Sequence, residues 1–111
     1  MKIDYISPKK INVADKSYTD TVIISSKGIV FSWEESETLE EKDIEKFLKE
    51  DPEVLVVARN GNLKKVSFKT RNLLRERDVI LVVDDIHEAI NSFNKTAEKG
   101  KSVLGIFPLK S

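Results

Sequence analysis

Apolar and polar positions change rhythm twice along the chain. Over the first third, short apolar stretches sit between polar clusters: Ile3 to Ile6, Ile11 to Val13, the run TVIIS within Tyr18 to Ser25, and GIVFSW from Gly28 to Trp33. This pattern predicts strands, with Ser7-Pro8 turning the first pair and Ser26-Lys27 turning the last two into an antiparallel hairpin. After Trp33 the spacing becomes helical. Leu39, Ile44, Phe47 and Leu48 fall near one helix face, acids upstream suit the positive end of a helix dipole, and Pro52 closes the segment.

From Val54 onward the apolar residues come in unbroken runs: VLVVA at Val54 to Ala58, VILVV at Val79 to Val83, and a last run over Val103 to Leu109. Consecutive apolar positions predict strands buried on both faces. Helical segments around Ser67 to Glu76 and Ile86 to Lys99 separate them. Ser67 is placed to cap the first, Asp84 or Asp85 to cap the second, and Gly100 to end it in a left-handed turn. Parallel strands joined through helices make right-handed crossovers. The pattern therefore predicts an N-terminal β-meander feeding a βαβαβ unit, within one α/β domain spanning residues 1–111.

Composition narrows the chemistry. The chain has no Cys and one His, His87, which excludes disulfides, thiol nucleophiles, Cys-based zinc sites and iron–sulfur clusters, so neither metal nor cofactor is expected. No apolar run approaches the roughly 20 residues that cross a bilayer, and MKIDYISPKK carries charge and Pro where a signal peptide is apolar. Together with the missing Cys, this points to a cytoplasmic protein without membrane insertion. Charged residues make up 34% of the chain and Gln is absent, the compositional direction of hyperthermophiles. The net charge of zero hides a segregation. Residues 34 to 53 hold ten acids against three lysines, a net of −7, and residues 59 to 77 hold seven bases against one acid, a net of +6. Such blocks steer partners or solvate exposed faces, and on one chain they would allow head-to-tail docking.

In an open α/β sheet, ligands bind beyond the carboxyl ends of the strands. Two loops qualify. The first, Arg59-Asn60-Gly61-Asn62 with Lys64 and Lys65 behind it, offers a Gly turn and bases to an anion such as phosphate, and reads equally as a solvated Asn-Gly turn. The second, Asp84-Asp85, offers two carboxylates to Mg²⁺ beside substrate phosphates, and reads equally as a helix cap. His87 stands two positions later, in the first turn of that helix, and reads as a base or as a partly exposed helix residue. Asn60, Gly61, Lys64, Asp84, Asp85 and His87 are thus the candidate ligand-binding residues, and no catalytic triad or nucleophile accompanies them. Trp33 reads as a residue at the edge of the core. The bases Lys64, Lys65, Lys69, Arg71, Arg75 and Arg77 raise nucleic-acid binding. Against it stand the zero net charge and the lack of stacking aromatics, since Phe68, the one aromatic there, is expected inside.

Several strings together resemble one family. TDTVIIS and GIVFSW (Thr19 to Trp33), VLVVA with its Gly turn, and EAINSFN followed by GKSVLGIF (Glu88 to Phe107) are similar, in order and spacing, to small archaeal and bacterial α/β proteins. That family includes the human adipogenesis-associated Mth-domain protein and a mitochondrial complex I assembly factor. Trp33, Gly61, Ala89, Phe93, Asn94 and Gly100 fall on its pattern. The resemblance implies a three-layer α/β fold on a mixed central sheet. It implies no catalytic activity, and its better-described members look like assembly or regulatory partners. The expected function is accordingly a non-enzymatic interaction or assembly module with a protein partner; the alternative is a small-molecule or anion-binding protein, possible enzyme included, using the strand-end residues. Departures are RNGN where members often carry a second Gly, Ile86 where many have Thr, and the tail IFPLKS where close relatives carry a His.

Overall fold

The computed structural model describes residues 2–28, 30–45 and 47–109. Three short strands, β1 (Ile3–Ser7), β2 (Lys10–Val13) and β3 (Lys16–Tyr18), form an antiparallel meander. Between β2 and β3, Ala14 and Asp15 both take left-handed φ of 49° and 67°, the backbone of a two-residue turn that matches strand twist. The predicted strand from Tyr18 to Ser25 is broken, because Tyr18 ends the meander while β4 (Val22–Ser25) belongs to the central sheet. The chain crosses between layers at Thr19 to Thr21. β5 (Val30–Ser32) returns beside β4 as the expected hairpin, with Ile23 opposite Phe31. Ile29, inside the predicted strand, lies outside the described residues.

The helix expected across Leu39 to Leu48 is not a single helix. Leu39 enters a two-residue strand, β6 (Thr38–Leu39), followed by one turn of α1 (Glu41–Ile44) and a 3₁₀ turn at Phe47–Glu50. Spacings of three residues suit a 3₁₀ turn as well as an α-helix, so apolar periodicity does not separate them. Then come β7 (Val54–Ala58), β8 (Lys65–Val66), α2 (Phe68–Glu76), β9 (Ile80–Asp84), α3 (Ile86–Glu98) and β10 (Val103–Phe107). β6 and β8 pair in parallel, a small sheet that no pattern announced.

The central sheet runs β5-β4-β10-β7-β9, with β10, β7 and β9 parallel and β4 and β5 antiparallel. It is mixed, as the family resemblance implied. Strand alternation sorts its side chains onto two faces. Val22, Ile24, Val54, Val56, Val103 and Phe107 pack toward α3 and the meander, while Ile23, Leu55, Val57, Leu104 and Ile106 pack toward α1, the 3₁₀ turn and α2. This gives the three layers.

The family-pattern residues on α3 hold the first layer together. The Asn94 side chain accepts from the Ile3 N–H at 2.9 Å and donates to the Ile3 carbonyl at 2.8 Å, so a helix side chain continues the ladder of β1. Phe93 lies edge-on to Phe107 at 5.9 Å, over Gly105. A Cβ on Gly105 would meet those rings at 2.5 to 2.9 Å, closer than carbon atoms tolerate. Gly100 ends α3 with φ of +80°, as expected.

One strand departs from its predicted environment. VILVV was expected to be buried on both faces, but β9 is the border of the sheet, Ile80 is 57% exposed, and the residues after it are half-buried. An apolar run reports what a strand could bury; neighbours decide what it does bury.

Candidate functional site

β7, β9 and β10 all end on one rim of the sheet. Antiparallel β4 begins there, with Val22 opposite Phe107, and β5 ends there, with Ser32 opposite Val22. The rim therefore gathers Thr21, the exit from β5 through Trp33 and Glu35, the loop after Ala58, the start of α3, and Leu109. Both loops singled out in the sequence lie on it.

The loop after β7 is tied from within. The Asn60 side-chain amide donates to the Pro8 carbonyl at 2.6 Å and the Pro108 carbonyl at 2.7 Å, joining the meander turn, the β7 loop and the end of β10. Both amide hydrogens are used. Gly61 follows with φ of +58°, and the Leu63 N–H bonds the Asn60 carbonyl at 3.1 Å. Lys64 turns toward the β6 side, 3.6 Å from Glu37, with both side chains 74% exposed. An ion pair that exposed contributes little stability.

The second loop is a cap. Asp85 accepts from the Glu88 N–H at 2.9 Å, and Asp84 accepts from the Asp85 N–H at 2.9 Å. The Asp84 carbonyl takes the Arg59 N–H at 2.8 Å, which stitches the two loops together. The His87 ring lies 5.0 Å from that of Tyr5, on the meander side. The structure thus brings Asn60, Gly61 and Asp84 onto adjoining strand ends, with Lys64 drawn to Glu37 and His87 to Tyr5. Among the described residues, no group of His, Asp and Glu is arranged to hold a metal ion.

Sequence reasoning missed two residues of this rim. The buried Thr21 hydroxyl accepts from the Leu109 N–H at 3.1 Å and donates to the Glu35 carboxylate, whose other oxygen accepts from the Asn62 N–H at 2.8 Å. This chain of bonds links β4, β5, the β7 loop and the end of β10. It borders an open cleft of about 740 Å³ lined by Asp20, Thr21, Trp33, Glu34, Glu35 and Asp43 among others. Only the polar exit from a strand ending in Trp33 signalled it, and one acid pair after a strand is a weak signal. Trp33 is half-buried against the α2-side core, as a core-edge residue should be.

The basic stretch also differs from expectation. Phe68, expected inside, is 76% exposed at the first position of α2, because Thr70 and Leu74 face the core instead. Its predicted burial is corrected by that helix phase. No described helix is long and apolar enough to cross a membrane.

A family model described as a protein of unknown function (DUF498/DUF598) matches residues 3–108. No curated protein matches the sequence. Among solved structures, a conserved hypothetical protein from Pyrococcus horikoshii superposes with a TM-score of 0.85 at 20% identity, covering 100% of both chains. A Bartonella henselae chain described as an outer membrane protein gives 0.77 at 21% identity, covering 98% of this chain and 94% of its own. A Bordetella pertussis protein described as an Mth938-like domain gives 0.70 at 17%, covering 99% and 87%. At these identities the likeness establishes the fold.

Proposed function

The chain belongs to the DUF498/DUF598 family of proteins of unknown function, and we propose that it acts there as a non-enzymatic interaction or assembly module for a protein partner, in the cytoplasm. The observation that supports this reading is the location of the unengaged groups. Polar side chains of the rim bond within the chain, whereas Phe68 and Ile80 stand in solvent. Among the described residues these two are the most exposed large apolar side chains, and exposed apolar area is what a partner surface can bury. The test is recovery of a stoichiometric partner from native extract over a range of salt, compared with the Phe68→Ser, Ile80→Ser double variant. Failure to recover any partner overturns the reading; loss of a partner in the variant upholds it.

A second reading rests on the adjoining ends of β7 and β9, where the Arg59 N–H bonds the Asp84 carbonyl at 2.8 Å and brings the two loops together; the cleft beside Glu35, lined by Asp20, Glu34, Glu35 and Asp43, does not suit an anion. Under it, Asn60, Gly61, Lys64, Asp84, Asp85 and His87 serve a small molecule or anion at the strand ends. Thermal shift against a metabolite panel tests it. A ligand at 100 times its dissociation constant adds about 2.7 kcal/mol, and no shift with phosphorylated compounds removes the anion version.

A further inference from the structure

β9 borders the central sheet with β7 on one side and, among the described residues, no strand on the other. Its ladder to β7 is regular, from Ile80 opposite Val54 to Asp84 opposite Ala58. The Ile80 N–H donates to the Glu53 carbonyl at 3.0 Å, and the Asp84 carbonyl accepts from Arg59. Residues 80, 82 and 84 therefore turn their peptide groups toward β7, and strand alternation turns those of Leu81 and Val83 outward. The devices that usually protect such an edge are missing from ILVVD: it has no Lys, no Pro and no bulge, and its one charge is at the end.

The flank of this edge is basic. A groove of about 220 Å³ between α2 and β9 is lined by Arg71, Leu74, Arg75, Val79 and Leu81. Phe68, Arg71 and Arg75 fall on one stripe of α2, at successive spacings of three and four. Among the described residues neither arginine has an ion-pair partner. We propose that the β9 edge and this stripe receive an extended acidic and apolar segment of a partner protein, which adds to the sheet as a further strand. The proposal rests on the interaction-module reading and names its surface.

Charge and spacing select the occupant. Side chains two apart on one face of a strand are about 7 Å apart, and Arg71 and Arg75 are separated by a rise of about 6 Å along the helix axis. Alternate acids on the incoming strand can meet both. Its other face meets Ile80 and Val82, which calls for apolar residues there. A second copy pairing β9 antiparallel to β9 would set the arginine stripes of both α2 helices against each other on one face, an unfavourable arrangement.

The test titrates the isotope-labelled full chain with a synthetic peptide alternating Glu and Val, and with its Lys and Val counterpart. The Glu peptide is expected to shift the amides of Leu81, Val83, Arg71 and Arg75, and to slow hydrogen exchange at Leu81 and Val83 by about tenfold or more. The Lys peptide should do neither. Arg71→Glu with Arg75→Glu should weaken binding about tenfold or more. Val83→Pro should abolish it while sparing every bond to β7, and if that variant does not fold the arginine pair carries the test. Absent protection at Leu81 and Val83 overturns the proposal. So does protection in peptide-free protein that appears with a doubled sedimentation mass, which assigns the edge to a second copy. Shifts at Phe68, Arg71 and Arg75 with single-stranded RNA, without protection of β9, assign the stripe to nucleic acid instead. A partner from extract whose binding survives all three substitutions sinks this surface and leaves the interaction-module reading intact.

Discussion

The rim at the carboxyl ends of the parallel strands and the lateral edge at β9 are built on opposite principles. On the rim, topology gathers loops from five strands, and their polar groups are turned on one another: Asn60 bridges two carbonyls, Thr21 and Glu35 connect Leu109 to Asn62, and Asp85 caps α3. At β9 the reverse holds. Peptide groups, arginines and Phe68 face solvent, and little within the described chain engages them. The difference teaches that a place where ligands bind in many α/β folds can serve in this one as a fastening, while unpaired backbone groups collect at a sheet border. Location in the fold is a prior about function; unspent bonding capacity is an observation about it.

Substitutions can break or sharpen this contrast. The largest effect is expected for Thr21→Val, which orphans the buried Leu109 N–H and cuts the link to Glu35. Urea denaturation should register a loss of about 2 to 3 kcal/mol, with faster exchange at the Leu109 amide. Asn60→Ala comes next. It should cost about 2 kcal/mol, less because the exposed Pro8 carbonyl can turn to water, and its signature is loosening of the meander turn seen as new exchange at β1 and β2. Asp85→Ala removes one cap and should cost about 1 kcal/mol, with fraying confined to the first turn of α3 by amide exchange at Glu88. Phe68→Ser should leave stability within about 0.5 kcal/mol of the parent while reducing recovery of a partner. The contrast fails if the order inverts, with Phe68→Ser costing more stability than Thr21→Val.

Much of the fold was legible because its cause is local. VLVVA and the last run from Val103 are central strands by composition, Ser67 and Asp85 cap α2 and α3, and Gly100 ends α3. Each follows from side-chain packing or backbone conformation within a few residues. The misses share a different cause. Leu39 left its expected helix to pair with Val66, the strand expected from Tyr18 to Ser25 split between two sheets, and VILVV became the sheet border, each through partners distant in sequence. The candidate site divides the same way. A cap at Asp84 or Asp85 was readable from their position before Ile86, and the structure assigns it to Asp85, whereas the Asn60 amide could equally face solvent until Pro8 and Pro108, 52 and 48 residues away, arrived to take its hydrogens.

The sequence by itself determined the class of this protein: α/β alternation, the ends of α2 and α3, the lack of any thiol, and the blocks of opposite charge. Those properties are sums over neighbours in the chain, so the chain suffices to read them. Only the tertiary structure decided which polar groups are consumed and which strand is left at the border. A hydrogen-bond partner and a sheet neighbour are long-range facts, set by how layers close over one another. They tied the loops after VLVVA and VILVV to their neighbours and left one side of VILVV itself without a strand among the described residues.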